Sequence, residues 1–310
     1  MIDRRTFIAK NFFSLLGLFQ SVGVLDFSEF QGKYKRCVIV YSDGMHPKLH
    51  EEMQEAKAEE RIALNLAKVK LIQSIREEGF PVILVDGGNM ICPLTSNNFP
   101  EVDSEYTITS LMQYDAAIPG ESELASGIHV WKKIAYQIKI SWLACNYIVK
   151  DTPFEKLVKP FIVKDFGGIR IGITGIGMEQ REGAMINGWE TVQFIPPVIA
   201  LNRTAAVLKE RGCDWIICFN HGSNNFKQTN SMDAMLAKES ELVDLIFGCH
   251  VRNSIPVIRL YTNKSGKKTA VFQINDQENF LARFDLILPV KGGNKGLTFN
   301  ELTQLKKNAE

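Results

Sequence analysis

The sequence predicts a layered α/β domain, and three observations carry that prediction. Short β-branched runs alternate with long helical segments through the first half of the chain, the pattern of stacked sheets and helices. Most runs end in a glycine-rich or polar loop, so the strands surface where they stop. At 310 residues the chain is long enough to bury a sizeable core.

Residues 37–41 (Cys-Val-Ile-Val-Tyr) form a strand of the fully buried type. Residues 50–78 are rich in Glu, Ala, Lys and Leu, and Ile62, Leu66, Val69 and Ile72 fall at helical spacing on one face. Gly79 caps that helix, and residues 80–85 supply the next strand. A helix over 104–113, a strand over 114–119, a helix over 128–137 and a strand over 141–145 follow. Residues 161–164 and 170–174 flank Gly167-Gly168, which predicts a tight hairpin. Residues 197–212 form a helix, 215–219 a strand ending at His221, 231–240 a helix, and 243–247 a strand ending at His250. Strands with turns at Ser265-Gly266 and Asp276-Gln277 fill 257–289, and the residues beyond Gly292 read as a polar, frayed tail. With no repeat and no low-complexity linker, the organisation expected is an N-terminal segment over 1–30, one domain over 36–290 and a tail over 291–310.

Composition limits the function classes. Apolar residues make up 45% and charged residues 23%, as in ordinary globular proteins, and the net charge of +1 leaves no nucleic-acid footprint. The six cysteines (Cys37, Cys92, Cys145, Cys213, Cys218, Cys249) lack CxxC spacing and read as buried hydrophobes rather than a disulfide framework. Cys249, lying between motif residues, has a soft-metal role as its alternative.

The N-terminus reads as a targeting segment. Asp3-Arg4-Arg5-Thr6-Phe7-Ile8-Ala9-Lys10 resembles the twin-arginine export pattern, and the apolar stretch over 12–25 is shorter than the ~20 residues a spanning helix needs. With no clear small-x-small cleavage site, the expectation is an exported protein, periplasmic or held to the membrane by this segment. An amphipathic helix is the alternative.

Chemistry concentrates in the strand-end loops. These are Ser42-Asp43-Gly44-Met45-His46, Asp86-Gly87-Gly88-Asn89, Gly120-Glu121-Ser122-Glu123, Asn220-His221-Gly222 and Gly248-Cys249-His250-Val251-Arg252. Supporting stretches are Trp142-Leu143-Ala144-Cys145-Asn146, Lys159-Pro160-Phe161-Ile162-Val163-Lys164 and the run from Gly168 to Ile176. Together these segments resemble the metallophosphatase domain of the 5'-nucleotidases, within the calcineurin-like phosphoesterases, over about residues 36 to 288. The resemblance implies a four-layer αββα sandwich with metal ligands on loops at the strand ends. It also implies a two-cation site that clamps the attacking and leaving oxygens of a phosphate ester.

Transferred residue by residue, the family's metal ligands give Asp43, His46 (one position late in its motif, requiring a bulged loop), Asn89, Glu121, His221 and His250. Asn89 stands where the family's bridging Asp is expected, Ser122 where a leaving-group His is expected, and Arg252 where a second His is expected. One cation position retains Asn89, Glu121, His221 and His250, a zinc- or manganese-type donor set. At the other, Arg252 cannot ligate a cation. The resemblance therefore implies one retained divalent metal, with Arg252 gripping a phosphate oxygen, Asp43 orienting Arg252 or a water, and Glu123 or water protonating the leaving group. A metal-free scaffold, with Arg252 ion-paired to Glu121, and an intact two-metal site are the alternatives.

The partners implied are a phosphate-ester small molecule such as a nucleotide, and a separate domain like the 5'-nucleotidase C-terminal one. Gly172-Ile173-Thr174-Gly175-Ile176-Gly177 lacks dinucleotide-loop spacing and reads as a packed strand end. His50 and His129 read as surface residues.

Overall fold

A computed structural model describes residues 34–42, 56–90, 99–179, 192–222, 231–251, 257–275, 280–289 and 296–304. In these residues the strands are β1 (Tyr34–Ser42), β2 (Val82–Asp86), β3 (Ala116–Ala117), β4 (Ser141–Leu143), β5 (Tyr147–Ile148), β6 (Val158–Lys159), β7 (Phe161–Asp165) and β8 (Arg170–Ile176). They continue with β9 (Gln193–Phe194), β10 (Trp215–Asn220), β11 (Leu245–Val251), β12 (Val257–Thr262), β13 (Lys268–Asn275), β14 (Phe280–Pro289) and β15 (Gly296–Gln304). The helices are α1 (Ala56–Glu77), α2 (Phe99–Met112), α3 (Glu121–Ile138), α4 (Pro197–Glu210) and α5 (Met232–Glu239).

Two sheets carry the fold. One has the order β15-β14-β1-β2-β3-β4-β6 and the other β12-β13-β11-β10-β8-β7. Their centres are parallel; the β15-β14-β1 side of the first sheet and both edges of the second are antiparallel, while β6 joins β4 in parallel. Parallel strands are covered on both faces, which is why β10 is a continuous buried run, Trp-Ile-Ile-Cys-Phe-Asn.

Alternation along single strands builds the layers. Cys37, Ile39 and Tyr41 of β1 face the core between the sheets, while Val38 and Val40 join the core beneath α1, α2 and α3. Trp215, Ile217 and Phe219 of β10 point between the sheets, and Ile216 and Cys218 join the core beneath α4 and α5. The result is helix, sheet, sheet, helix: the four-layer αββα arrangement expected. Its middle holds an aromatic cluster in which Phe247 stacks on Phe219 at 4.6 Å and meets Phe284 edge-on at 5.0 Å.

Turn chemistry follows the sequence. Gly167 and Gly168 take φ of 63° and 105° in the β7–β8 hairpin, where only glycine is unstrained at both positions. In the β12–β13 turn the Asn263 side chain accepts the backbone N–H groups of Ser265 and Lys267, at 3.1 and 2.9 Å.

Three expectations need correction. The helix placed at 128–137 begins at Glu121 and is broken at Gly127, whose φ of 72° interrupts the helical pattern. The strand placed at 114–119 shortens to Ala116–Ala117. The tail beyond Gly292 is not all frayed, because β15 pairs antiparallel with β14. Leu297 and Phe299 alternate as a strand requires, but Leu302 falls one residue out of phase. A β-bulge opposite Arg283 and Phe284 absorbs that extra residue. The targeting segment over 1–30 and the turn at Asp276-Gln277 lie outside the described residues. No described helix is long and apolar enough to cross a membrane.

The core yields two predictions. Phe247→Ala should destabilise the protein by about 3–5 kcal/mol in urea unfolding, because it removes the ring at the centre of the inter-sheet cluster. A loss below about 1 kcal/mol would contradict that packing. Burial, with a smaller contribution from the Asp115 and Asp285 charges, pushes the Cys37 thiol up to about 12. Burial likewise pushes Cys145 up to about 11. A raised value means less thiolate at a given pH, so at pH 8 both should resist a thiol-specific disulfide reagent until the chain unfolds. Fast native labelling of either cysteine would contradict this.

Candidate functional site

The parallel strands of both sheets end at one edge of the sandwich. There the sheets are laced together: Cys145 N–H donates to Gly175 O at 2.8 Å and Met178 N–H to Pro119 O at 3.1 Å. The Asn146 amide receives Gly177 N–H at 2.9 Å and donates to Gly177 O at 3.0 Å. Ligands of α/β sheets bind beyond the carboxyl ends of strands, so this edge is where a site is expected.

The loop after β2 is rigid for identifiable reasons. Asp86 is buried, and its carboxylate accepts Ser42 Oγ–H at 2.6 Å and Gly88 N–H at 2.9 Å. Ser42 Oγ also lies 3.0 Å from the Tyr114 hydroxyl, whose pKa is raised first by burial and then by the Asp86 charge. Asn89 sits at φ 58°, the left-handed region that Asn tolerates better than most residues.

A second buried carboxylate joins this loop to the next. Glu123 Oε2 accepts Gly120 N–H at 2.7 Å and Asn89 N–H at 3.0 Å, while Asn89 Oδ1 accepts Ser122 N–H at 3.0 Å. Gly120 is the N-cap of α3 and has no side chain, so this is the Glu half of a capping box. Glu123 is fully buried and holds two loops together. That geometry makes it a brace between the two loops.

His221 completes the arrangement. Its ring is 2% exposed, and Nδ1 lies 2.6 Å from Gly87 O, across the gap between the sheets. A carbonyl only accepts, so Nδ1 carries the proton, and in the neutral ring Nε2 holds the lone pair. Nε2 faces Gly120 and Asn89: a Cβ at Gly120 would lie 2.7 Å from His221 Nε2 and 2.4 Å from Asn89 Oδ1. A Cβ at Gly88 would meet His221 Nδ1 at 2.7 Å and Ile118 O at 2.5 Å. Both glycines are required because the imidazole packs directly onto their backbone.

The structure brings together Asn89, Glu123 and His221. Glu121 is the first residue of α3 and its side chain is exposed. His250 lies in β11, its side chain outside the described set, and Asp43, His46 and Arg252 also lie outside the described residues. Asp86 and the pair Asn220–Asp233 were missed by sequence reasoning; the only signal for the first is an acid directly at a strand end.

As a test of metal fit, an imidazole whose second nitrogen is held by a backbone carbonyl is the arrangement of a metal-binding His. Its Nε2 and Asn89 Oδ1 are two neutral donors compatible with one cation. Among the described residues no three His, Cys, Asp or Glu side chains converge.

Glu123→Ala should cost about 2–4 kcal/mol in chemical denaturation, because two backbone N–H groups lose their buried acceptor. A change within about 0.5 kcal/mol would contradict the bracing role.

No family model matches the chain, and no curated protein matches it. Solved structures do. The NAD nucleotidase of Haemophilus influenzae superposes with a TM-score of 0.65 at 15% identity, over 86% of this chain and 49% of its own. A 5'-nucleotidase precursor from Thermus thermophilus gives 0.63 at 16% identity, over 85% of this chain and 54% of its own. A calcineurin-like phosphoesterase from Bacillus subtilis gives 0.56 at 18% identity, over 87% and 90%. The chain thus spans about half the length of the two nucleotidases. Its architecture is the four-layer αββα fold of the calcineurin-like phosphoesterases, which 5'-nucleotidases share.

Proposed function

We propose that this chain is a metal-dependent phosphoesterase of the 5'-nucleotidase type, working slowly with a single divalent cation on a phosphate ester such as a nucleotide. The observation that carries this reading is the His221 imidazole, fixed by Gly87 O with Nε2 turned toward Asn89 at the strand ends. The nucleotidase activities in the names of the superposed proteins support the substrate class.

In this reading His221 and Asn89, with Glu121 and His250, hold one zinc or manganese ion. When bound, the ion supplies Lewis-acid polarisation of a phosphoryl oxygen and a more acidic water. Arg252 grips a phosphate oxygen through its planar fork, and Asp43, in the same sequence motif as His46, orients that guanidinium. Ser122 cannot serve as an imidazole acid, and Glu123 is occupied by backbone donors. Leaving-group protonation therefore falls to water, at a cost of ~10²–10⁴ in rate. Export through the Arg4-Arg5 segment, and pairing with a separate nucleotide-binding domain, belong to the same proposal.

A second reading is a non-catalytic scaffold that keeps the fold for its surface. It is favoured by the two buried acids beside the site, Asp86 and Glu123, both of which accept backbone N–H groups.

Calorimetric titration of chelator-treated protein with zinc or manganese separates the two. The enzyme reading expects one equivalent bound, and His221→Ala should weaken it by about 100-fold. Asn89→Asp with Arg252→His should add affinity and raise turnover of p-nitrophenyl phosphate. No cation bound by the wild type at millimolar concentration would leave the scaffold reading.

A further inference from the structure

Behind the His221 turn lies a polar cluster that the proposed chemistry does not use. Asn220 of β10, Gly248 of β11 and Gln273 of β13 are aligned neighbours on one rung across three parallel strands. They follow Cys218, Ile246 and Val271 on the sheet face that packs against α4 and α5. Asp233, in the first turn of α5, reaches down onto that rung. Its Oδ1 accepts Asn220 Nδ2–H and its Oδ2 accepts Gln273 Nε2–H, both at 2.6 Å. A Cβ at Gly248 would lie 2.2 Å from Oδ2, so the middle of the rung must be glycine for the carboxylate to seat. All three polar side chains are buried, Asp233 completely.

The cluster has a direction. Arg259 donates to Gln273 Oε1 at 3.3 Å, which turns the Gln273 amide so that its nitrogen faces Asp233. On the other side Asn220 Oδ1 receives Gly222 N–H at 3.0 Å and closes a turn around His221. A carboxylate accepts on both oxygens, so it satisfies two amide donors at once, and the helix N-terminus favours its charge.

We infer that Asp233 is a positioning residue: by clamping Asn220 and Gln273 over Gly248, it fixes the end of β10 that His221 follows. The inference rests on reading His221 as the ligand of the proposed site. Asp233 touches no reacting atom and acts through the Asn220–Gly222 turn, which holds the ring where Gly87 O selects its tautomer.

The test uses the full chain and three proteins: wild type, Asp233→Asn, and Asp233→Asn with Gln273→Glu. An amide at position 233 turns a donor toward Gln273 Nε2, whereas a carboxylate at position 273 accepts from both that amide and Arg259. Two readouts are taken at pH 8, the imidazole ¹⁵N shifts of His221 and zinc affinity by calorimetry. Asp233→Asn should move the His221 shifts from a single Nδ1–H tautomer toward a mixture and weaken zinc at least ~10-fold, with both restored in the double variant. Unchanged His221 shifts in Asp233→Asn, or no recovery in the double variant, would overturn the inference. Should Asp233→Asn fail to fold, a folded double variant with wild-type shifts supports it and one with mixed shifts overturns it. Wild type that binds no zinc defeats the functional reading alone, because the His221 shifts still report on Asp233.

Discussion

The hydrogen bond from His221 Nδ1 to Gly87 O joins the two sheets at the edge where their parallel strands end. It selects the tautomer, aims Nε2 and sets how closely the loop after β2 approaches the loop after β10. For a ring that is almost wholly buried, such a bond is expensive to lose, since the carbonyl and the N–H would both be stranded without water. Gly88 and Gly120 follow from it, because either side chain would occupy the space the imidazole takes.

Around that bond, buried acids act as braces. Asp86 ties Ser42 to the Gly88 backbone, Glu123 ties the loop after β2 to the start of α3, and Asp233 ties α5 to two strands, β10 and β13. Each accepts at least two hydrogen bonds, the condition under which a buried carboxylate is tolerated. The described part of the site is therefore stiff, and the two donors that face each other there, His221 Nε2 and Asn89 Oδ1, are neutral.

The fold was legible because its signals are local. β8 and β10 are predominantly apolar runs, Gly167-Gly168 and Ser265-Gly266 specify hairpins through backbone conformation, and His221 directly follows a buried strand. β15 was illegible because its bulge shifts the apolar alternation by one residue, and a period read along the chain cannot anticipate an insertion that exists only opposite a partner strand. The bracing role of Glu123 was not legible, since a carboxylate three residues into a helix reads alike as acid or cap until Asn89 N–H is found beside it. Asp233 carried no signal, since its partners Asn220 and Gln273 lie 13 and 40 residues away and meet it only through strand pairing.

The claim that most needs direct measurement is that a single cation sits against His221 Nε2 and Asn89 Oδ1. Crystals grown with manganese and measured at a wavelength where its anomalous scattering is strong would locate it without assumptions about activity. One peak within bonding distance of His221 Nε2, with Arg252 rather than a second peak beside it, is the expected result. Two peaks, or none near His221 while manganese is bound elsewhere, would contradict it.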